Sequence, residues 1–490
     1  MASITSATSG LSTSTAVWTG GVVPVVGDKV TIQHPGTNVL GTSTLYQLNG
    51  ARSAADTSIP VDTGTGSIVA GECIQIEHPI GTDEDGNAVY DPTYYKVTTG
   101  VTGAGTLVIA APGLTYAMAD NLPVINRGHV VEVAASHVWG DDTSSLTVGN
   151  NGIVVLGTLK FSRTTGVTFT ARGTCMIANG GTLDAGYPGA GPITAVTHTI
   201  AINDSATLSS GKHGPVSPSG STGVTWRMCG KPRTRNTRLT SGISANATSI
   251  TVDASSGWAV GERLVIASDT DDPTRAQIVT ISGGSSPTWT VGAITNARLA
   301  GCRVGNLTSN VIVKSKGATT PGLCGMQAVS ADAAGRMNLQ DVAFQDVGSN
   351  GWTALATGAT YWQRSIGIEA PSARMCTMRR LSVESTTGSA NFGVTLGGPM
   401  ANRHQCRDAA IHGLSSGVGP VFLPVGSMAD VDAIVYRCGV FAVDSSNSDG
   451  SAAATATGEW WAPNDVIRYA PVISLRINVA SLHSSGGGII

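Results

Sequence analysis

The chain has 490 residues and a formal net charge of −3; 41% of its residues are hydrophobic, 12% are charged and 63 are glycine. That length exceeds one compact core and calls for several domains or an elongated repeat, while the small negative charge excludes a nucleic-acid binder working through a basic surface. A charged share about half the usual one, with short Val/Ile-rich runs set among Gly, Ser and Thr, excludes a disordered chain and points to an all-β protein dense in turns.

The opening stretch MASITSATSGLSTSTAVW lacks the basic and apolar regions of a secretion signal. No apolar run approaches the roughly 20 residues that span a bilayer, so no membrane insertion is expected. Residues 1–52 read as N-terminal strands that begin a larger frame. Thr57 to His78, TSIPVDTGTGSIVAGECIQIEH, is then nearly repeated at Thr248 to Asp271, TSITVDASSGWAVGERLVIASDTD. Thr57-Ser58-Ile59 aligns with Thr248-Ser249-Ile250, Val61-Asp62 with Val252-Asp253, and Gly71-Glu72 with Gly261-Glu262. Each copy holds short alternating runs parted by Gly, Asp or Ser, the pattern of a small antiparallel sheet that must curl on itself or pack on a neighbour. We read two inserted β-barrel-like modules, at residues 53–115 and 246–300.

Residues 116–245 and 301–490 change character. GIVVLGTLKFSR (Gly152 to Arg163), GVTFTARGTCMIANGGTLDAG (Gly166 to Gly186), SNVIVKSKG (Ser309 to Gly317) and GRMNLQDVAFQDVGSNG (Gly335 to Gly351) are short strands stepped by glycine. Strands of this length with Gly or polar corners at rung spacing predict a parallel β-helix; a sandwich would join neighbouring hairpins more regularly. Clustered aromatics come later at Trp352, Tyr361, Trp362, Trp460 and Trp461, suited either to plugging a core or to glycan and subunit contact.

WTGGVVPVVGDKVTI (Trp18 to Ile32), GTLKF (Gly157 to Phe161) and GGTLDAG (Gly180 to Gly186) resemble the signature of the domain named for eight glycines. CGKPRTRNTRL (Cys229 to Leu239), WAVGERLVIASDTDD (Trp258 to Asp272), VGNLTSNVIVKS (Val304 to Ser315) and VAFQDVG (Val342 to Gly348) resemble the segments C-terminal to that signature in the same family, so the resemblance covers roughly residues 15–350. The arrangement is found in cell-surface hyaluronidases, in fibrocystin-like proteins and in bacteriophage tail proteins. It implies a right-handed parallel β-helix and leaves function open, since one fold carries enzymes and structural parts alike.

Glycan cleavage on such a frame needs paired carboxylates, or a base with a nearby cation. The candidates are Asp141 and Asp142, adjacent and able to share a site only in a turn, and Asp184 with Arg172 from the preceding rung. A solvated turn and an outer-face ion pair are the simpler accounts. Asp83, Asp85, Asn87 and Asp91 form an oxygen-rich loop with calcium-like alternation, but its glycine is out of place and no distal Glu comes after it; no metal and no cofactor are expected. The nine histidines form no HxH or HExxH pattern, and the eight cysteines no CxxC. The one concentrated basic stretch carries Arg227, Lys231, Arg233, Arg235 and Arg238, suited to glycan or subunit contact or to solvation alone.

Two functions fit. The first is a virion structural protein of a tailed phage, a tail fibre, tailspike or related appendage. It would assemble in the host cytoplasm as a homo-oligomer, with trimers the habit of fibre-like β-helices, contacting other virion proteins and host-surface polysaccharide. The second is a polysaccharide-degrading enzyme, hyaluronidase-like or lyase-like, on the same scaffold.

Overall fold

The computed structural model describes residues 2–25, 28–36, 46–62, 64–82, 88–134, 137–139, 153–172, 174–178, 180–187, 191–203, 214–221, 224–267, 269, 275–315, 326–330 and 336–345. Beyond these it describes 368–370, 375–384, 393–396, 405–407, 410–412, 421–424, 435–437 and 440–442. Among the described residues the protein is all-β, its helical content limited to two short 3-10 turns at Thr15–Val17 and Thr19–Gly21.

Three sheets are parallel throughout, with nine, nine and eight strands among the described residues. The chain visits them in rotation. Ile153–Val155 lies in the first sheet, Thr158–Phe161 in the second and Val167–Arg172 in the third, before Thr174–Ile177 returns to the first beside Ile153–Val155. Parallel pairing sets residues of successive circuits in register, so apolar residues stack into columns: Val131, Leu159, Leu183 and Trp226 in the second sheet, Phe169, Ile200, Val313 and Phe344 in the third. With Val30, Ile153 and Cys175 of the first sheet they make one continuous buried core. Alternation along each strand sends the intervening residues outward. Corners are tight. A Cβ at Gly157 would meet the carbonyl oxygens of His129 at 2.4 Å and Gln33 at 2.6 Å, so only glycine lets adjacent circuits approach there. At the N-terminal end the core is closed by Val17 and Trp18, whose indole Nε1 donates to the Ser12 carbonyl at 2.8 Å.

Two six-stranded antiparallel sheets interrupt the rotation, with the same strand connectivity. One, from Tyr46–Gln47 to Pro123–Asn126, falls between Lys29–Ile32 of the first parallel sheet and Val130–Val133 of the second. The other, from Asn236–Arg238 to Arg303–Asn306, falls between Thr225–Cys229 of the second and Val311–Ser315 of the third. Each ring is closed by a bridge between its outer strands, Leu48 to Val61 in one and Leu239 to Val252 in the other, so both are small barrels. Each has its own apolar filling, built on Ile59, Ile74, Tyr95 and Leu107 in the first and on Ile250, Leu264, Val279 and Trp289 in the second. The barrels draw in strands at both ends, 46–47 and 123–126, 236–238 and 303–306, beyond the segments whose wording repeats.

Candidate functional site

Alternation along the second parallel sheet, with circuit-to-circuit register, places Glu132, Lys160, Asp184 and Arg227 in one outward column. The first barrel leans over its far end. Tyr94, just before the barrel strand Tyr95–Thr99, donates its Oη to Asp184 at 2.5 Å and accepts from Arg227 Nη2 at 2.7 Å. Asp184 also accepts from the Gly186 amide at 3.1 Å, and its carboxylate stands 3.8 Å from the Arg227 guanidinium. Tyr187 stacks on that guanidinium at 4.9 Å, and Arg227 reaches Gln75 Oε1 at 3.4 Å. Gln75 in turn accepts from Arg127 and donates to the Asp91 carbonyl, both within the barrel.

Asp184 is 1% exposed and Arg227 4%, so their charges are sustained by one another. Burial pushes the Asp184 carboxyl up, but Arg227, Arg163 and the hydrogen bonds from Tyr94 and Gly186 outweigh it and hold the group below its ordinary value. Burial likewise pulls Arg227 down, and Tyr94 and Asp184 more than restore it. The Tyr94 phenol is pushed up, mainly by burial. The node is therefore a fixed ion pair bridged by a neutral phenol. A carboxyl held ionised beneath a tyrosine is not placed to protonate a leaving group. Arg172 lies on the third sheet in register with Asn203, whereas Asp184 lies on the second, so the cation facing Asp184 is Arg227 of the next circuit.

The rest of the basic stretch roots the second barrel. Arg233 Nη1 donates to the Thr308 carbonyl at 2.8 Å and pairs with Glu262 at 3.0 Å. Arg235, fully buried, donates to the carbonyls of Asn306 and Thr308 at 2.7 Å each and to that of Arg380 at 2.8 Å. Asp341 lies beneath it, 3.8 Å from Arg235 and 2.9 Å from Arg380. Burial lowers Arg235 to about 10 and raises the Asp341 carboxyl, because desolvation at this crowded corner exceeds what the pairing returns. Of the five basic residues, Lys231 is half-buried and Arg238 exposed; the other three are enclosed by intrachain partners.

Sequence reasoning missed the root of each barrel. Glu72 accepts from the Gly36 and Val69 amides at 2.8 and 2.9 Å and from Asn126 Nδ2 at 2.7 Å, tying the segment that enters the barrel to the strand that leaves it. In the second barrel Glu262 accepts from Asn306 Nδ2 at 2.6 Å and from Arg233. The signal was present: Glu and Asn are the same in both copies, at matched places in the register. Gly36 has no room for a side chain, since a Cβ would lie 2.4 Å from the Ser67 carbonyl and 2.9 Å from both Asn126 and Glu72.

Asp91 accepts from Tyr95 Oη at 2.8 Å and from Thr93, an arrangement internal to the barrel. Asp83, Asp85, Asn87, Asp141, Asp142 and the five aromatics of the C-terminal third lie outside the described residues. Among the described residues no cluster of His, Cys, Asp and Glu has the make-up of a metal site. Cys73, Cys175, Cys229 and Cys302 are free and buried, and burial pushes each thiol up. His198 is a satisfied core histidine, its Nε2 2.6 Å from the Ser162 carbonyl and its Nδ1 accepting from the Val167 amide.

No protein-family model matches the chain, and no curated protein does. Among solved structures it is similar to the Gp54 tailspike of Acinetobacter baumannii bacteriophage AP22, solved in complex with A. baumannii capsular saccharide. That alignment has 12% identity and a TM-score of 0.16, covering 58% of this chain and 41% of the tailspike. It is also similar to the Pseudomonas phage phi297 tailspike gp61, with 10% identity and a TM-score of 0.18, covering 55% of this chain and 39% of that one. The chain thus spans about two fifths of the length of these two tailspikes.

Proposed function

We propose that the protein is a structural component of a tailed-phage virion, a tail fibre, tailspike or related appendage. In this reading the three parallel sheets wind as one right-handed β-helix from which the two barrels project as inserted modules. The observation that carries it is the fixing of two like barrels to one frame around buried charge: the Asp184–Arg227 pair of the frame, held by Tyr94 and Gln75 of the first barrel, and Glu262 with Arg233 and Asp341 with Arg235 and Arg380 under the second. Modules held this way widen a rod and offer rigid surfaces to neighbouring subunits, which serves assembly into a homo-oligomer within a particle. The order of motifs over residues 15–350 resembles that of phage tail proteins carrying the eight-glycine arrangement, which supports the same reading. Asp184, locked as an ion pair, favours a structural role over glycan cleavage. Contact with host-surface polysaccharide is part of the proposal.

The test is the native mass of the full-length chain by light scattering, with negative-stain images of the same sample. Rod-shaped homo-oligomers are the expected result. A stable monomer that depolymerises bacterial polysaccharide would overturn the proposal in favour of an enzyme.

A further inference from the structure

The two barrel roots share a carboxylate and an asparagine but differ in the cation. At the second root Glu262 faces Arg233 at 3.0 Å, a group charged at every ordinary pH. At the first root the same place holds histidine: His34 Nδ1 lies 3.4 Å from Glu72 Oε1 and 3.2 Å from the Gly36 carbonyl. A second histidine, His129, stands just after the strand that leaves the barrel. Its Nδ1 is 2.9 Å from Ser6 Oγ, and that oxygen also accepts from the Gln33 amide at 2.8 Å. The surroundings are dry, with His129 2% exposed and Glu72 fully buried.

We propose that the root of the first barrel is an acid-operated hinge: in mild acid His129 takes up a proton, the root parts from the Ser6–Ser9 segment, and the second root stays closed. Protons fit poorly in the closed root. Among the described residues the Nε2 of His34 is buried with no hydrogen-bond partner, so this root lacks the extra ties that the Arg233 guanidinium gives the second. A protonated His129 Nδ1 must donate, which takes from Ser6 the acceptor to which its hydroxyl hydrogen points. The charged and titratable groups facing His129 are Glu72, His34 and Lys96, with the Cys73 thiol alongside. Lys96 Nζ donates to the Ser9 carbonyl at 2.9 Å, so a fixed positive charge already stands on the segment that docks there. Glu72 and a hydrogen bond to the Ser6 backbone favour the imidazolium, but burial outweighs both, and the two Glu72 oxygens are already taken by Gly36, Val69 and Asn126.

Burial holds His129 down to about 4, against an ordinary 6.5 when opened to water, Glu72 and a hydrogen bond to the Ser6 backbone pulling it up and His34 and Lys96 pushing it further down. A group whose closed-state value is depressed loses stability as pH falls from the open value toward the closed one. The window therefore runs from about pH 6.5 to about pH 4.

Hydrogen exchange on the full-length chain at about pH 7.5 and about pH 5, corrected for intrinsic exchange, tests this. From the two His129 values, opening of the first root (peptides over 33–36, 69–73 and 126–130) should increase about 25-fold. The second root (peptides over 233–236, 259–263 and 304–308) should change less than about threefold. Equal responses at the two roots, or none at the first, would overturn the proposal, and this contrast needs no variant. In a folded His129→Gln chain the acid response of the first root should fall to that of the second. A response that persists there would equally overturn it.

Discussion

Replacing Arg227 with methionine is the sharpest probe of how the first barrel is held. The guanidinium stands 3.8 Å from Asp184 in a setting where both groups are almost fully enclosed. Coulomb attraction between unit charges at that distance, in an effective dielectric of about 20, is about 4 kcal/mol. Methionine fills much of the arginine stem but leaves Asp184 buried with Tyr94 and the Gly186 amide as partners. Breaking a buried pair in this way costs about 3–5 kcal/mol, because one charge is left uncompensated. Barrel and frame need not unfold together, so a global melting midpoint is the wrong readout; hydrogen exchange in peptides over 90–99 and 182–187 reports the contact directly. At about 1.4 kcal/mol per tenfold change, exchange there should accelerate by about two to three orders of magnitude. Arg227→Met with Asp184→Leu should lie nearer the wild type than Arg227→Met alone, since it removes the orphaned carboxylate. A loss under about 1 kcal/mol for the single variant, or a double variant worse than the single, would refute the reasoning. The pH dependence has a definite sign. Because the folded Asp184 carboxyl is depressed below 3.8, its contribution is fully present above that value and is lost only as pH falls through the lower, folded one. The Tyr94–Asp184 contact should therefore outlast the root of the same barrel as a sample is acidified.

Two further substitutions test other joints. Trp18→Ala removes the buried plug at the N-terminal end of the frame, together with its hydrogen bond to Ser12. It should cost about 3–5 kcal/mol, seen as early loss of exchange protection in the first strands, Ser3–Thr5 and Gly10–Leu11. Gly36→Ala puts a methyl within 2.4 Å of the Ser67 carbonyl, so it should destabilise the first barrel by about 1–3 kcal/mol, measurable as faster hydrogen exchange over residues 67–76 than at the second barrel's root.

Much of the fold is legible in the sequence because local patterning and tertiary contact agree. The runs SITVD, RLVIA, AQIVTI and TWTVG contain the strands Ser249–Thr251, Arg263–Ile266, the start of Gln277–Ser285 and Thr288–Val291. Glycines that step the text at Gly157 and Gly186 sit where a Cβ would strike the backbone of a neighbouring circuit. The ends of the barrels are harder to read. Tyr46–Gln47 and Pro123–Asn126 are short and share no wording with their counterparts beyond Val124 with Val304 and Asn126 with Asn306, so pairing through space is what reveals them. The candidate site is harder still. Arg227, Arg233 and Arg235 read as a basic loop, yet each is buried by a segment distant in sequence: Tyr94, Thr308 and Asp341. Composition cannot tell a solvated arginine from one at a crowded corner, because the difference lies in contacts more than 70 residues apart.

The two barrels show how one module comes to fit two different seats. Their interiors and roots keep matched residues, Ile74 with Leu264, Tyr95 with Val279, Glu72 with Glu262, Asn126 with Asn306. The face turned toward the frame differs throughout. In the first barrel Gln75, Tyr94 and Arg127 carry polar groups to the charged column of the second sheet. The same register positions in the second barrel are Val265, Ile278 and Leu307, which gather into a separate apolar cluster with Ala267. That barrel's strand Arg303–Asn306 approaches Ala410–His412 and Val440–Ala442 of the third sheet instead. A buried polar face is tolerable only where every group finds its partner, and an apolar face only where it meets no charge. Each seat therefore rejects the other barrel, and the repetition in the sequence builds two distinct joints at two different corners of one frame.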